Sequence, residues 1–513
     1  MTYFKNPSRK YLAVAGIFAL SFMYTGCINK SDIDQFVDRN KSNDNGGVLN
    51  VSVTKPVDRD YADIKRSGML RMITRYSSNT YFLHQGVEWG FEYELVRKFA
   101  QQHDLALEVV IIGPNDNPYD MLNSGKGDLI AANYTATSVR KKYVDFTRPY
   151  NIVNEVMVFS SDINDPPKTL KEVAKRGIPI TVRRNSSYYH RLKELRKKGL
   201  NLAIHLVPNT MDTESLLFEI SSNKYSATVA DDNIFQASNK YMNGLTRGPT
   251  VAKNDTIAWA VRKNADNLKT ELNRFLYNHF RFGKEGEPPK RSTFLNVLRK
   301  RYFKSGPQIA DYYNPESNSD KAGGISPYDD IIKQVSDSAG VNWLLVASII
   351  AQETKFNPNS KSWAGAIGLM QVLPRFSNVS DDSLYNIRTN IKEGIRIIKK
   401  HLHHYSYMDS TDQWSFALAA YNAGAGHIAD ARRLVIDENK NPNKWENASD
   451  ALLKLMHRKY YKDARYGFCR GIETVRYVQQ IKNRYKTYKS ILAMNKSDKR
   501  GQAPGVLGMF NLP

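Results

Sequence analysis

The stretch Trp343-Leu-Leu-Val-Ala-Ser-Ile-Ile-Ala-Gln-Glu353-Thr-Lys-Phe-Asn-Pro358 decides how this chain reads. The almost unbroken apolar run 343–351 has the length of a buried helix. Pro358 limits how far that helix continues. Glu353 therefore falls where a greasy helix is about to end. A carboxyl in such surroundings is hard to ionise, so its pKa should rise. An acid still protonated near neutral pH can give its proton to a leaving group.

Around this stretch lies a chain of 513 residues, more than one hydrophobic core usually serves, which predicts two domains with flanking segments. A hydrophobic content of 41% with 11% aromatics argues against wholesale disorder. The formal net charge of +23 suits either simple solubility or attraction to polyanions: nucleic acid, acidic lipid or an anionic cell-wall polymer. No zinc-finger spacing or RNA-recognition signature is present, which disfavours nucleic acid. Cys27 and Cys469 are the only cysteines, too few for a disulfide framework.

Lys5, Arg9 and Lys10 precede the apolar run Leu12–Leu20, and Tyr24-Thr-Gly-Cys27 follows. This is a positive segment and an apolar core too short to span a bilayer comfortably. It resembles a bacterial lipoprotein signal over 1–26, with Cys27 as the lipidated first residue of the mature chain. Tyr24 departs from the aliphatic residue usual three before the cysteine. An ordinary secretory signal or a single anchor helix is the alternative, and each exports the chain. The expected location is the periplasmic face of the outer membrane, held by lipid.

A polar tether is expected over 27–60. Strand-like runs at 69–74, 105–112, 128–132, 178–182, 202–207 and 257–261 alternate with helical segments and predict an α/β domain over 61–283. A connector rich in Gly, Pro, Ser, Lys and Arg is expected over 284–325, with a helical patch near Phe294–Phe303. Beyond it, helical patterns at 329–338, 342–353, 364–371, 390–405, 412–422, 448–457 and 472–490 predict an all-α domain over 326–492. The tail 493–513 reads as frayed. His401, His403 and His404 point to different faces of one helix, so no metal is expected there, and no cofactor.

Three further segments accompany Glu353: Gly368-Leu-Met-Gln371, Ala420-Tyr-Asn-Ala-Gly424, and Glu473-Thr-Val-Arg-Tyr-Val478. Each alone is weak: Asn422-Ala-Gly424 reads equally as a helix C-cap, and Tyr477 as a core aromatic. In this order, together with Phe356, Pro358, Ser362, Gly365-Ala366 and Pro374, they resemble the lytic transglycosylase catalytic domain, a relative of goose-type lysozyme. Thr354 stands where that family commonly has Ser. The resemblance implies a lysozyme-like all-α fold, Glu353 as sole catalytic acid, and Ser362, Gly368, Gln371, Tyr421 and Asn422 along a glycan cleft. It places Tyr477 against the acid. It implies peptidoglycan as substrate, cut between N-acetylmuramic acid and N-acetylglucosamine. Glycosidases ordinarily use two carboxylates. One suffices where the sugar's own C6 hydroxyl closes a 1,6-anhydro ring. A hydrolase with the same acid is the first alternative. A solute-binding or sensor lipoprotein with an inactive second domain is the other.

Gly90-Phe-Glu-Tyr-Glu-Leu95, Leu122-Asn-Ser-Gly-Lys-Gly-Asp128, Tyr134-Thr-Ala-Thr-Ser-Val-Arg140 and Asp145-Phe-Thr-Arg-Pro-Tyr150 resemble a periplasmic solute-binding domain of the amino-acid-binding kind. That resemblance implies two α/β lobes about a cleft. It implies Arg140 clamping a ligand carboxylate, with the planar fork suited to that job. Thr135 adds a hydroxyl, and Asp231, or nearly as well Asp232, takes an ammonium. A small peptide or amino-acid effector follows as an expectation.

Overall fold

The computed structural model describes residues 49, 51–113, 116–209, 211–284, 287–304 and 324–498. The expected signal, Cys27 and most of the tether lie outside the described residues.

Met69–Thr74 is the first strand, and its apolar side chains Leu70, Met72 and Ile73 are fully buried. The amphipathic helix Phe91–Gln102 returns the chain, and Ala106–Ile111 pairs parallel to the first strand from Met69↔Ala106 to Thr74↔Ile111. The finished sheet runs in the order Ala106–Ile111, Met69–Thr74, Leu129–Ile130, Ala260–Val261, Asp145–Phe146. A second sheet has the order Leu245–Ile257, Asn151–Ser160, Ala227–Asp231, Ile180–Arg183, Ile204–Val207. The domain is thus two α/β lobes. The chain passes between them twice, from Asp145–Phe146 into Asn151–Ser160 and from Leu245–Ile257 into Ala260–Val261. At the crossing, buried Glu92 accepts from Trp259 Nε1 at 2.8 Å, Asn133 N at 2.9 Å and the Tyr150 hydroxyl.

Asp128, in the Gly-Lys-Gly-Asp stretch, is fully buried and ties three segments together. It accepts from Arg59 Nε at 2.9 Å and Arg71 Nη2 at 2.8 Å, and lies 3.4 Å from Arg262, which is also fully buried.

Residues 287–304, read above as part of the connector, pack on the first domain. Thr293–Arg299 is helical, Arg301 pairs with Glu94 at 2.7 Å, and the Tyr302 hydroxyl accepts from Gly90 N at 2.9 Å. The connector's apolar residues, such as Phe303 with its ring 5.0 Å from that of Phe91, explain the packing.

From 324 to 498 every described element is helical: Asp329–Ala339, Trp343–Thr354, Ile387–His404, Ser410–Ala423, Ala425–Asp437, Trp445–Lys454, Arg458–Tyr461 and Gly471–Asp498, with short 3-10 turns at Pro374–Phe376 and Asp382–Tyr385. The segment 364–371 is not a helix. Gly365, Gly368 and Gln371 have φ of 83°, 73° and 50°, left-handed conformations that a right-handed helix excludes, and the loop closes through a bridge from Ile367 to Val372. The last helix continues to Asp498, past the start of the expected tail.

That last helix lies against Ala106–Ile111, the edge strand of the first sheet. Thr487 Oγ1 donates to Val109 O at 2.9 Å, and Arg476 donates to Asp104 O at 3.1 Å. An edge strand carries unpaired backbone groups, and a covering helix removes the hazard. Arg484 bridges the domains: it donates to Gln352 Oε1 at 3.0 Å and contacts Glu88 Oε2 at 3.4 Å. Beside it, the hairpin Phe82–His84/Val87–Trp89 turns at Gly86, φ 79°, where an added Cβ would sit 2.1 Å from the Phe356 ring.

Removing one partner from a buried ion cluster leaves charge uncompensated. Asp128→Ala should therefore destabilise the first domain by about 3–5 kcal/mol, read as a lowered midpoint in chemical denaturation. A loss below about 1 kcal/mol, the range of exposed pairs, would contradict the role given to Asp128.

Candidate active site

The helix Trp343–Thr354 buries every residue from Leu344 to Ala351. Asn342 caps its start, accepting from Leu344 N at 3.0 Å. Lys355, φ 52°, ends it in the left-handed conformation, and Phe356 follows with φ 63°. Glu353 thus occupies the final turn, partly covered, as the sequence implied. Burial pushes its carboxyl up to about 7. One hydrogen bond opposes that rise: the Tyr477 hydroxyl donates to Glu353 Oε1 at 2.5 Å. Among the described residues no other carboxylate acts on this group. Tyr477 is itself buried, and burial and then the Glu353 charge hold its phenol well above the ordinary value, so it stays a donor.

The loop that follows is gripped from three sides. Thr354 Oγ1 donates to Leu369 O at 3.0 Å, which accounts for a hydroxyl residue at that position. The Tyr421 hydroxyl donates to Met370 O at 2.7 Å. Asn390, 1% exposed, accepts from Met370 N and donates to Ile367 O and Leu384 O, each at 2.8 Å. Gly368 passes so close that a Cβ would lie 2.3 Å from Asn390 Nδ2 and 2.6 Å from Leu384 O. Its contribution is fit. Asn390 was not singled out from sequence: an Asn inside an amphipathic helix carries no signal of its own.

The other expected cleft residues fall around this loop. Ser362 Oγ accepts from Ala366 N at 2.9 Å, leaving its own proton available. Gln371 folds its amide back onto Ser360 O and Gly368 O, at 3.2 and 2.9 Å, so only its Oε1 remains to meet a ligand. Asn422 is exposed, and its Oδ1 accepts from Thr474 Oγ1 at 2.9 Å, which orients the amide with Nδ2 outward. Thr474 and Tyr477 sit one turn apart on the last helix, which therefore supplies two of the groups that hold the site. Glu473 is exposed and lies 3.5 Å from Arg470.

In the first domain, Thr135, Arg140 and Asp231 line one cleft between the lobes. Arg140, 7% exposed, donates to Thr135 O at 2.8 Å and lies 4.6 Å from the Tyr134 ring centre. Thr135 so far offers its carbonyl, not its hydroxyl. Asp231, 2% exposed, accepts from Asn133 at 2.9 Å, and burial raises it to about 7. Asp232 accepts from Asn154 at 2.9 Å and is absent from the cleft wall. Arg75 and Arg183 also line the cleft and were missed, because each stands at the end of a strand with no motif around it.

The Tyr477 bond lowers the Glu353 carboxyl, so Tyr477→Phe should move its titration to higher pH. Carbon-13 NMR of the labelled carboxyl reads this directly; a downward move would show that the phenol is not the donor.

Comparison with known proteins bears on both domains. Residues 330–444 match the transglycosylase SLT domain, and residues 70–285 match the bacterial extracellular solute-binding proteins, family 3. A membrane-bound lytic murein transglycosylase F from Desulfosudis oleivorans is 30% identical over 439 residues, 85% of this chain and 92% of the relative. Its namesake from Shewanella woodyi is 31% identical over 444 residues, 85% of this chain and 88% of the relative. Among solved structures, an ancestral arginine-binding protein bound to arginine is 24% identical, covers 46% of this chain and 98% of its own, and has a TM-score of 0.38. With identity extending along most of each relative, the chain belongs to the membrane-bound lytic murein transglycosylase F family.

Proposed function

We propose that the chain is a peptidoglycan lytic transglycosylase: it cleaves the β-1,4 bond between N-acetylmuramic acid and N-acetylglucosamine and leaves 1,6-anhydro-N-acetylmuramic acid ends. The observation that carries this reading is Glu353, a lone carboxyl raised by burial to about 7 and held by a single phenol. Family membership supports the same activity.

Glu353 delivers its proton to the glycosidic oxygen as the bond from muramic C1 breaks. The muramic acetamido oxygen closes onto C1 and shares the positive charge. Asn422 Nδ2 is turned outward to orient that group, and Tyr421, its proton used on Met370 O, offers a lone pair. Glu353, now a carboxylate, takes the proton of the C6 hydroxyl, and O6 displaces the acetamido oxygen at C1. The acid is regenerated and no water is consumed. Apolar residues of the helix below the carboxyl favour this outcome over hydrolysis, which needs a placed water. Cys27 carries the lipid in this reading and tethers the enzyme to the periplasmic face of the outer membrane. A peptide or amino acid in the first domain's cleft acts as effector.

Digestion of purified sacculi with mass analysis of the products tests the reaction. Glu353→Gln should abolish release of anhydro-muropeptides, and products heavier by one water would instead mark a hydrolase. Because the acid must be protonated, the wild-type rate should fall about ten-fold per pH unit above about 7. Stability carries a trace in the same direction. A carboxyl raised in the folded state favours folding fully below its unfolded value of about 4.3, and that advantage disappears as pH rises through about 7. Glu353→Gln should therefore gain stability over wild type at pH 8, by at most about 4 kcal/mol, and not at pH 4. Equal denaturation midpoints at both pH values would remove the raised carboxyl from the account.

A further inference from the structure

Several arginines of the first domain have carboxylate partners: Arg59, Arg71 and Arg262 share Asp128, and Arg301 has Glu94. In the cleft three arginines converge without one. Arg140 donates to Thr135 O at 2.8 Å, Arg75 lies 3.4 Å from the Tyr134 hydroxyl, and Arg183 lies 3.5 Å from Thr213 Oγ1. These partners are neutral. Arg75 Nε is buried without any partner. Among the described residues none of the three is ion-paired. The acids on the cleft wall have polar partners of their own: Glu214 accepts from Ser78 N, Ser78 Oγ and Asn79 Nδ2 at 3.1, 2.9 and 2.6 Å, and Asp212, whose charge reaches Arg75 and Arg183 without pairing with either, caps a helix through Ser215 N at 2.7 Å.

Two effects register the resulting field. Burial and then Arg75 push Arg183 down to about 10. Burial alone would raise the Tyr134 phenol, yet Arg75, Arg140 and Arg183 together draw it below its ordinary value. On the opposite side, Asp231 Oδ1 is buried with no hydrogen-bond partner, an acceptor aimed at the same cleft. The cleft therefore offers one unmet acceptor and more guanidinium than one carboxylate can use, since a single carboxylate fills a single fork.

We propose that this cleft binds a zwitterion with a second carboxylate, an acidic amino acid, with Asp231 on its ammonium, Arg140 on its α-carboxylate, and Arg75 and Arg183 on its side-chain carboxylate. This deepens the effector reading and rests on it.

Calorimetry on the detergent-solubilised full chain tests it, with L- and D-glutamate and aspartate, the amides glutamine and asparagine, arginine and lysine, and the dipeptide alanyl-glutamate. An acidic amino acid should bind at least ten-fold more tightly than its amide, with arginine and lysine weaker still. Preference for alanyl-glutamate over free glutamate would identify a peptide end as the source of the same chemistry. Arg183→Gln should lose at least ten-fold in glutamate affinity, keep its glutamine affinity, and unfold no earlier than wild type, because it removes a charge that has no ion-pair partner. Amide binding equal to acid binding, or tighter binding of arginine, overturns the second-carboxylate site. Sacculus turnover measured in the same samples reports separately on regulation: a bound dicarboxylate that leaves the rate unchanged ends the effector reading but not the site.

Discussion

A carboxyl that keeps its proton near neutrality needs dry surroundings and no strong donor set, because every hydrogen bond to its charged form pulls its pKa down. Glu353 meets this condition by position. It stands at the last turn of a helix whose preceding residues are buried, and one phenol reaches it. Tyr477 is a measured compromise. It fixes where the acid points while withdrawing only part of the rise that burial creates. An arginine or lysine at the same place would fix the geometry equally well and leave the carboxyl ionised.

Much of this was legible in the chain. The apolar run 343–351 declared its helix, and Glu353 was placed by counting along it. Tyr421, Asn422 and Tyr477 could be found because they recur in a known order, not because of any local property. What could not be read was how the loop 364–371 is held. Its small and apolar residues, Ala364 to Met370, mimic a helical pattern, whereas its glycines and Gln371 adopt left-handed backbone and its carbonyls are held by Asn390, Tyr421 and Thr354. The strands Asn151–Ser160 and Leu245–Ile257 were missed for a related reason. They pair across about ninety residues of chain, and polar positions such as Asn154, Glu155, Lys253 and Asn254 interrupt their alternation. Long-range pairing leaves little mark on local sequence.

The clefts of the two domains show two uses of burial. In the second domain burial acts on an acid and keeps it neutral. In the first it acts on arginines as well as on Asp231, and an arginine cannot shed its charge, so the cleft keeps guanidinium without an ion-pair partner.

The helix Gly471–Asp498 gives its first turns to Glu353's neighbourhood and its later turns, through Arg484 and Thr487, to the edge of the first sheet. It begins beyond residue 444, where the match to the transglycosylase model stops. The recognisable module and the foldable one are therefore different objects. A shuffled gene that borrowed only the matched segment would inherit an acid without its phenol.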